Sequence, residues 1–392
     1  MKTIITSLII IMLIPFTARS QSFKDYKNKE QQNLKQYKES EQKAFAAYKK
    51  QEQEGIEKLR KEIEEYWGKN GFVTSTQKNW VEYSADKKSR SDVDFKNGKA
   101  TVQILLSQKE ASDPAFVKKK LEDAVENLAL TKGKTKDFST PVEKPKALET
   151  KPVLKGQLQT KEGNVVRASN VKQFAKEEVT PGAIQKENVK GKDGVQRTKF
   201  TINLNLAPDY IKVRAAIYQR DIAKYAQTLK LPSDLLFAVI HTESFFNPKA
   251  TSSAPAFGLM QLVPSSGALD AYRFLYNHWK LITANYLFNP DNNIKLGSAY
   301  LKLLMSRYFS SVKDPDSRML CAIAAYNTGP GNVARAFTGN TDPGRAIPYI
   351  NKMTYPQLYN YLYRNLPYSE TREYIRKVTQ RMAMYHKWNL TR

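Results

Sequence analysis

The C-terminal part of this chain is cut into short pieces by proline. Pro232-Ser233, Asn289-Pro290-Asp291, Asp314-Pro315-Asp316 and Gly329-Pro330-Gly331 divide residues 208–392 into segments of helical periodicity, with no alternating stretch between them. An Asn or Asp before Pro ends one helix and starts the next: the side chain caps free amides, and the ring suits the first helical position. Helices this short are marginal alone in water, so their apolar faces must bury one another. The expectation is one compact all-α domain of ordinary size.

The residues before it differ in character. MKTIITSLIIIMLIPFTARSQS carries a Lys, an apolar run from Ile4 to Ile14 and an Ala-x-Ser site ending at Ser20, so residues 1–20 read as a secretory signal peptide. The run is short for a membrane span, although an uncleaved anchor stays open. No cysteine lies near the cleavage site, which argues against a lipid anchor there. Residues 21–67 read as a charged helix with an 11-residue repeat, its apolar positions falling at 23/26, 34/37, 45/48 and 56/59 and continuing at Trp67. It is either a stalk or self-associating coil, or a charged helix packed on its own protein.

Residues 68–207 read as a small α+β domain with a polar linker. VDFKNGKATVQILLS places Asn97-Gly98 between extended runs as a hairpin, Asp113-Pro114 opens a helix, and KFTINLNLAP returns to strand alternation. From Lys132 to about Gly194 the composition is that of loop or linker. The fold class is therefore α+β, with the all-α domain preceded by a small α+β domain and a long helix.

The net charge of +25 suggests a polyanionic partner. Export argues against nucleic acid. That leaves anionic cell-wall polymer or a membrane surface, unless the excess Lys only aids solubility. Cys321, the single cysteine, sits in the apolar run MLCAIAAY and reads as a buried thiol. His241, His278 and His386 are far apart, so neither a metal nor a cofactor is expected. Asn289, Asp291 and Asn293 read as helix caps, since the Gly and distal Glu of a calcium loop are missing.

Within the helical domain, Glu243 draws attention. On a helix from Asp234 to about Ser244, Leu236, Val239, Ile240 and Glu243 share one face, so the carboxylate extends an apolar stripe. Desolvation there raises its pKa and suits it to general acid work. The competing reading is a structural Glu that caps or salt-bridges the following loop. His241 points to another side of the helix. Downstream come Gly258-Leu259-Met260-Gln261, the segment AAYNTGPGN with Tyr326 and Asn327, and Tyr374 on a stripe with Val378 and Tyr385. The cluster Tyr355, Tyr359, Tyr361, Tyr363 and Tyr368 either lines a glycan groove or packs helix on helix.

Taken in order, E-S-x-F-N-P at 243–248, G-L-M-Q at 258–261, A-Y-N-x-G-x-G at 325–331 and L-P-Y-x-E-T-R-x-Y at 366–374 resemble the Slt-type lytic murein transglycosylases. The resemblance covers about residues 208–392. More loosely, EIEEYWGKNGFVTSTQKNWVEYS and the VDFKNGKATVQI hairpin resemble the amino-terminal domain of the membrane-bound transglycosylase C branch. The resemblance implies a lysozyme-like domain that cleaves the β-1,4 bond between N-acetylmuramic acid and N-acetylglucosamine in peptidoglycan. It makes Glu243 the acid and then the base. Ser252, Gln261, Tyr326, Asn327 and Tyr374 are expected to contact the saccharide or the Glu, and Met260 to form the floor of the sugar site. It also implies a periplasmic or cell-envelope location and peptidoglycan glycan strands as partner. A membrane surface or cell-wall protein is a further candidate partner, through residues 23–67. Two departures stand out: branch C proteins are typically lipoproteins, and the 11-residue repeat exceeds what that branch leads one to expect.

Most glycosidases use two carboxylates, and here the motifs supply one. Asp270, Asp291 and Asp342 sit in cap- or turn-like contexts. A single Glu suffices when the substrate's own C6 hydroxyl is the nucleophile, which yields a 1,6-anhydromuramyl end. The alternatives are a hydrolase of the same bond, like goose-type lysozymes, and a non-catalytic wall-binding scaffold.

Overall fold

The computed structural model describes residues 53–132, 152–252, 256–278, 280 and 282–388, with scattered positions between 39 and 51. The chain divides into two units, Met1–Lys50 and Gln51–Arg392. In the first unit the described positions, such as Glu39 and Ala46, are helical and exposed. The expected signal peptide and most of the 11-residue repeat lie outside the described residues.

The second unit opens with a helix at 53–67 (α1). A hairpin pair and a third strand follow, β1 (Asn79–Tyr83), β2 (Ser89–Asp94) and β3 (Lys99–Ser107). Next come α2 (Gln108–Ala111), α3 (Pro114–Leu130), α4 (Val171–Glu178), β4 (Gln185–Lys190) and β5 (Gln196–Asn205). The sheet order is β1-β2-β3-β5-β4, and each neighbouring pair is antiparallel.

The expected hairpin forms with Asp94 opposite Lys99. The Asp94 carboxylate accepts from the amides of Lys96 and Asn97, and Gly98 takes φ 65°. A Cβ there would stand 2.8 Å from the Tyr210 ring, so glycine meets both demands. At α3 the Asp113 carboxylate accepts from the amides of Ala115 and Phe116 ahead of Pro114, as the Asp-Pro pair predicts. Val102, Ile104 and Leu106 on β3 pack against Val117, Leu121, Val125 and Leu128 on α3.

The linker expectation is corrected for residues 152–194, which are folded. Val153, Leu154, Leu158, Val166, Phe174 and Val179 are buried in the same core as the sheet. Their signal is weak because apolar residues enter that core singly from turns, so neither a 2.0 nor a 3.6 period accumulates. β4 reads QKENVK and is exposed at most positions, the charged composition that protects a sheet edge. The end of the 11-residue repeat also packs on its own protein: Ile63 and Trp67 on α1 bury against Leu105, with Leu59, Phe72 and Tyr83 around them.

The helical part runs α5 (Tyr210–Ile217), α6 (Gln219–Leu229), α7 (Ser233–Ser244), α8 (Gly267–Tyr276), α9 (Ala284–Phe288) and α10 (Pro290–Leu303). A π turn at Leu304–Tyr308 leads on to α11 (Pro315–Thr328), α12 (Pro330–Thr338), α13 (Pro343–Ile350), α14 (Tyr355–Asn365) and α15 (Ser369–Lys387). The proline breaks behave as read: Asn289 accepts from the Asn292 amide and Asp314 from the Ser317 amide, each with Pro at the first helical position. Helix α7 starts one residue earlier than expected, at Ser233, and its cap position Pro232 makes no side-chain bond.

Helix α7 is the centre of this domain. Residues Leu235 to Ile240 are fully buried, the mark of a helix enclosed on all sides. Tyr374, Ile375, Val378 and Tyr385 of α15 belong to the same core.

If residues 152–179 belong to the core, Phe174→Ala should lower the unfolding free energy by about 3–5 kcal/mol in urea titration. A linker residue would leave the midpoint unchanged.

Candidate active site

Helix α7 ends at Ser244, and its last turn delivers Glu243 at the end of the buried stripe Leu236, Val239 and Ile240. The chain leaves the helix through Phe245 and Phe246, both left-handed, with φ 51° and 59°. Aromatic residues seldom adopt this conformation, and each instance costs roughly 1–3 kcal/mol unless the surroundings hold it. The Ser244 hydroxyl donates to the Leu259 carbonyl at 2.7 Å, tying the helix end to the 258–261 turn.

That turn is built around close approach. Gly258 has φ +76°, and a Cβ on it would stand 2.3 Å from both the Leu287 carbonyl and the Asn293 amide nitrogen. The buried Asn293 accepts from the Met260 amide at 2.7 Å and donates to the Phe257 and Leu287 carbonyls. Its sequence reading as a cap was therefore incomplete: only Asn289 caps α10, while Asn293 braces the turn. The cause is tertiary, since the acceptors come from residues folded back over α10.

Tyr326, at the end of α11, donates its hydroxyl to the Met260 carbonyl at 2.8 Å. Tyr374 arrives from α15, and its hydroxyl is buried without a well-formed hydrogen bond. It nevertheless lies close enough to Glu243 for a partial hydrogen-bonding interaction. Burial pushes the Glu243 carboxyl up to about 8, Tyr374 draws it back part of the way, and Glu370 adds repulsion. Burial, and then Glu243 itself, raise both tyrosine hydroxyls well above their ordinary value. Among the described residues Glu243 has no ion-pair partner. It thus carries a proton at neutral pH beside two neutral phenols.

The remaining expected residues fall into place unevenly. Gln261 donates to the Ala250 and Gly258 carbonyls, while its Oε1 is buried without a partner. Asn327 accepts from the Thr371 hydroxyl at 2.7 Å, which pins α11 to α15. Ser252 is held in its own loop, donating to the Ala256 carbonyl and accepting from the Ala256 amide. The Met260 side chain is fully buried and packs against Gly297 beneath the 258–261 turn.

His241 bonds to the Tyr385 hydroxyl at 3.0 Å, and burial with Arg381 nearby depresses its pKa to about 3. It is a neutral core residue, as its helical position indicates. Asp291 accepts from Tyr225 and Lys224, and Asp342 caps α13. The acid that does influence Glu243 is Glu370, which sequence reasoning passed over. Its spacing, four residues before Tyr374 on one helix, was the available signal. Among the clustered tyrosines, Tyr361 packs on Phe337 and bonds to the Ala336 carbonyl, whereas Tyr355, Tyr363 and Tyr368 are exposed.

A helical core, a carboxylic acid at the end of its central helix with no ion-pair partner among the described residues, and two nearby tyrosines make an arrangement able to hold and release a proton. The transglycosylase SLT domain family matches residues 220–347, the stretch that holds Glu243 and Tyr326. The N-terminal domain of membrane-bound lytic murein transglycosylase C matches residues 39–216. By class, then, the chain is a lytic transglycosylase.

The chain belongs to the membrane-bound lytic murein transglycosylase C family. The relative from Sodalis glossinidius is 30% identical, over 83% of this chain and 87% of its own length. That from Cronobacter sakazakii is 29% identical, over 83% and 86%. Among solved structures, an inactive mutant of the lytic transglycosylase Slt from Pseudomonas aeruginosa is 27% identical over 45% of this chain and 25% of that one, with a TM-score of 0.35. A 70-kDa soluble lytic transglycosylase in complex with bulgecin A is 25% identical over 46% and 26%, with a TM-score of 0.36.

The raised pKa of Glu243 has a definite sign in stability. The folded state holds this proton up to about 8 and the unfolded state only to about 4.5, so stability falls as pH rises through that window. Glu243→Gln removes the effect. The variant's melting temperature relative to the parent should therefore climb steadily between pH 4.5 and 8, read by calorimetry. A constant difference, or one that shrinks, would mean an ionised, paired Glu243.

Proposed function

We propose that the protein cleaves the β-1,4 bond between N-acetylmuramic acid and N-acetylglucosamine in peptidoglycan, leaving 1,6-anhydromuramyl ends. The observation that carries this reading is the placement of Glu243 at the buried end of α7 beside Tyr326 and Tyr374, where burial pushes its carboxyl up to about 8. Glu243 donates it to the glycosidic oxygen, and the C1–O bond breaks with its electron pair leaving on that oxygen. Positive charge then builds at C1, where the sugar's N-acetyl group stabilises it. The new carboxylate takes the proton from the C6 hydroxyl as O6 attacks C1. No water is consumed, and one acid serves twice. The intramolecular attack also spares the entropy of capturing a second reactant, worth several kcal/mol.

The other residues take supporting roles in this scheme. Gln261 holds a polar atom that lacks a partner and Tyr374 one that is only partly bonded, and sugar hydroxyl or amide groups suit such atoms. Tyr326, Asn327 and Ser252 complete the group, with Tyr326 also fixing the 258–261 turn. We assign the chemistry to residues 208–392 and a supporting role to 68–207. Location in the cell envelope, after export by the signal peptide, accords with the relatives being named membrane-bound. No helix among the described residues is long and apolar enough to cross a membrane. The net charge of +25 belongs to the chain as a whole and suits it to an anionic partner. Residues 23–67 are nearly charge-balanced and would meet a membrane surface or cell-wall partner through their repeated apolar positions.

Purified sacculi digested with the protein should release muropeptides one water lighter than hydrolysed ones, and Glu243→Gln should release none. Reducing ends alone would make the enzyme a hydrolase, and unchanged cleavage by the variant would remove Glu243 from the mechanism. The rate should fall as pH passes about 8, where the acid loses its proton.

A further inference from the structure

The left-handed pair Phe245-Phe246 lies immediately beyond the Glu243-Ser244 end of α7, and the groups that hold it come from far along the chain. Arg214, on α5, is 1% exposed. Its Nε donates to the Phe245 carbonyl at 3.1 Å and its Nη2 to the Phe246 carbonyl. Its Nη1 donates to the Gln157 side-chain oxygen at 3.0 Å, and the guanidinium lies 3.4 Å over the Phe95 ring. Gln157 is anchored in turn, donating to the Val153 carbonyl at 2.8 Å. Both Gln157 and Phe95 belong to the sheet part of the molecule.

A second hold comes from Asn247, which is fully buried. Its Nδ2 donates to the Thr76 carbonyl at 3.1 Å and the Asn79 carbonyl at 3.0 Å, at the entry to β1. Phe245 itself packs against the core of the sheet, and the Lys249 ammonium lies 5.4 Å from the Trp80 ring. Carbonyls at a helix C-terminus carry partial negative charge, and a planar guanidinium reaches several of them at once where an ammonium cannot.

We infer that the sheet domain acts as a brace for the acid–base carboxylate, with Arg214 and Asn247 as positioning residues that hold the strained 245–246 turn. The inference rests on the proposed role of Glu243. Two left-handed aromatic residues return to commoner conformations once released. That rotation unwinds the last turn of α7 and carries Glu243 away from Tyr326 and Tyr374. The domain before residue 208 is then part of the catalytic apparatus, although it supplies no reacting group.

The test uses the full chain with Arg214→Lys, which keeps the charge but loses the fork, and Asn247→Asp, which keeps the shape but loses the two donor bonds. Turnover of soluble peptidoglycan fragments should show kcat reduced about 10- to 100-fold, with KM within about twofold of the parent. The alkaline limb of the pH profile should shift, while thermal unfolding stays above the assay temperature. Asn247→Asp decides the matter where Arg214→Lys reduces the folded fraction. Parental kcat and pH profile in folded variants, or a loss confined to KM, would overturn the brace. Glu243→Gln runs alongside: if it is inactive while both brace variants match the parent, only the brace fails. If it is active, the role of Glu243 and the brace fall together.

Discussion

Removing water from a carboxyl group forces a choice between finding a cation and keeping a proton, and the environment of Glu243 favours the proton. Its helix is enclosed by apolar side chains, and its nearest electrostatic neighbours are two phenols and another acid. Much of the helical domain serves that situation. α11 and α15 each deliver one tyrosine to it, and the Asn327–Thr371 hydrogen bond fixes the two helices relative to each other. A cation in the same place would have lowered the pKa and left an ordinary buried ion pair, unable to release a proton to a sugar oxygen.

The polar groups around the site are satisfied to very different degrees. In the 258–261 turn, Asn293, Ser244 and Tyr326 each serve a backbone group, so the turn is rigid without belonging to any helix or sheet. By contrast, the Gln261 Oε1 is buried and unsatisfied, a penalty of about 1–3 kcal/mol, and the Tyr374 hydroxyl has only a partial interaction with Glu243. Native proteins keep few such atoms, and Trp80, Ser298 and Ser317 carry others elsewhere. The two left-handed phenylalanines are strain retained beside the chemistry.

Much of this was legible in the amino acids. The proline breaks announced the helices, because capping and the fixed φ of proline act over three or four residues. The helical period placed Glu243 on the apolar face of α7 and His241 away from it, and the Asn97-Gly98 and Asp113-Pro114 pairs located the hairpin and α3. Reading failed where packing, not periodicity, sets the structure. Residues 152–194 looked like a linker because their buried Val, Leu and Phe enter the core one at a time among exposed charges. Asn293 looked like a cap because its true acceptors lie up to 36 positions away.

By itself, then, the sequence determined that the C-terminal domain is a set of short helices broken at its prolines, and that Glu243 lies on an apolar helix face. These are short-range matters of steric fit, capping and amphipathic period. Only the tertiary structure decided what surrounds that acid: the phenol from α15 arriving 131 residues later in the chain, the buried guanidinium from α5, and the entry of β1 bonded to Asn247. Desolvation and hydrogen-bond geometry depend on which atoms lie within a few ångströms, and distance along a chain carries no record of that until the helices have packed.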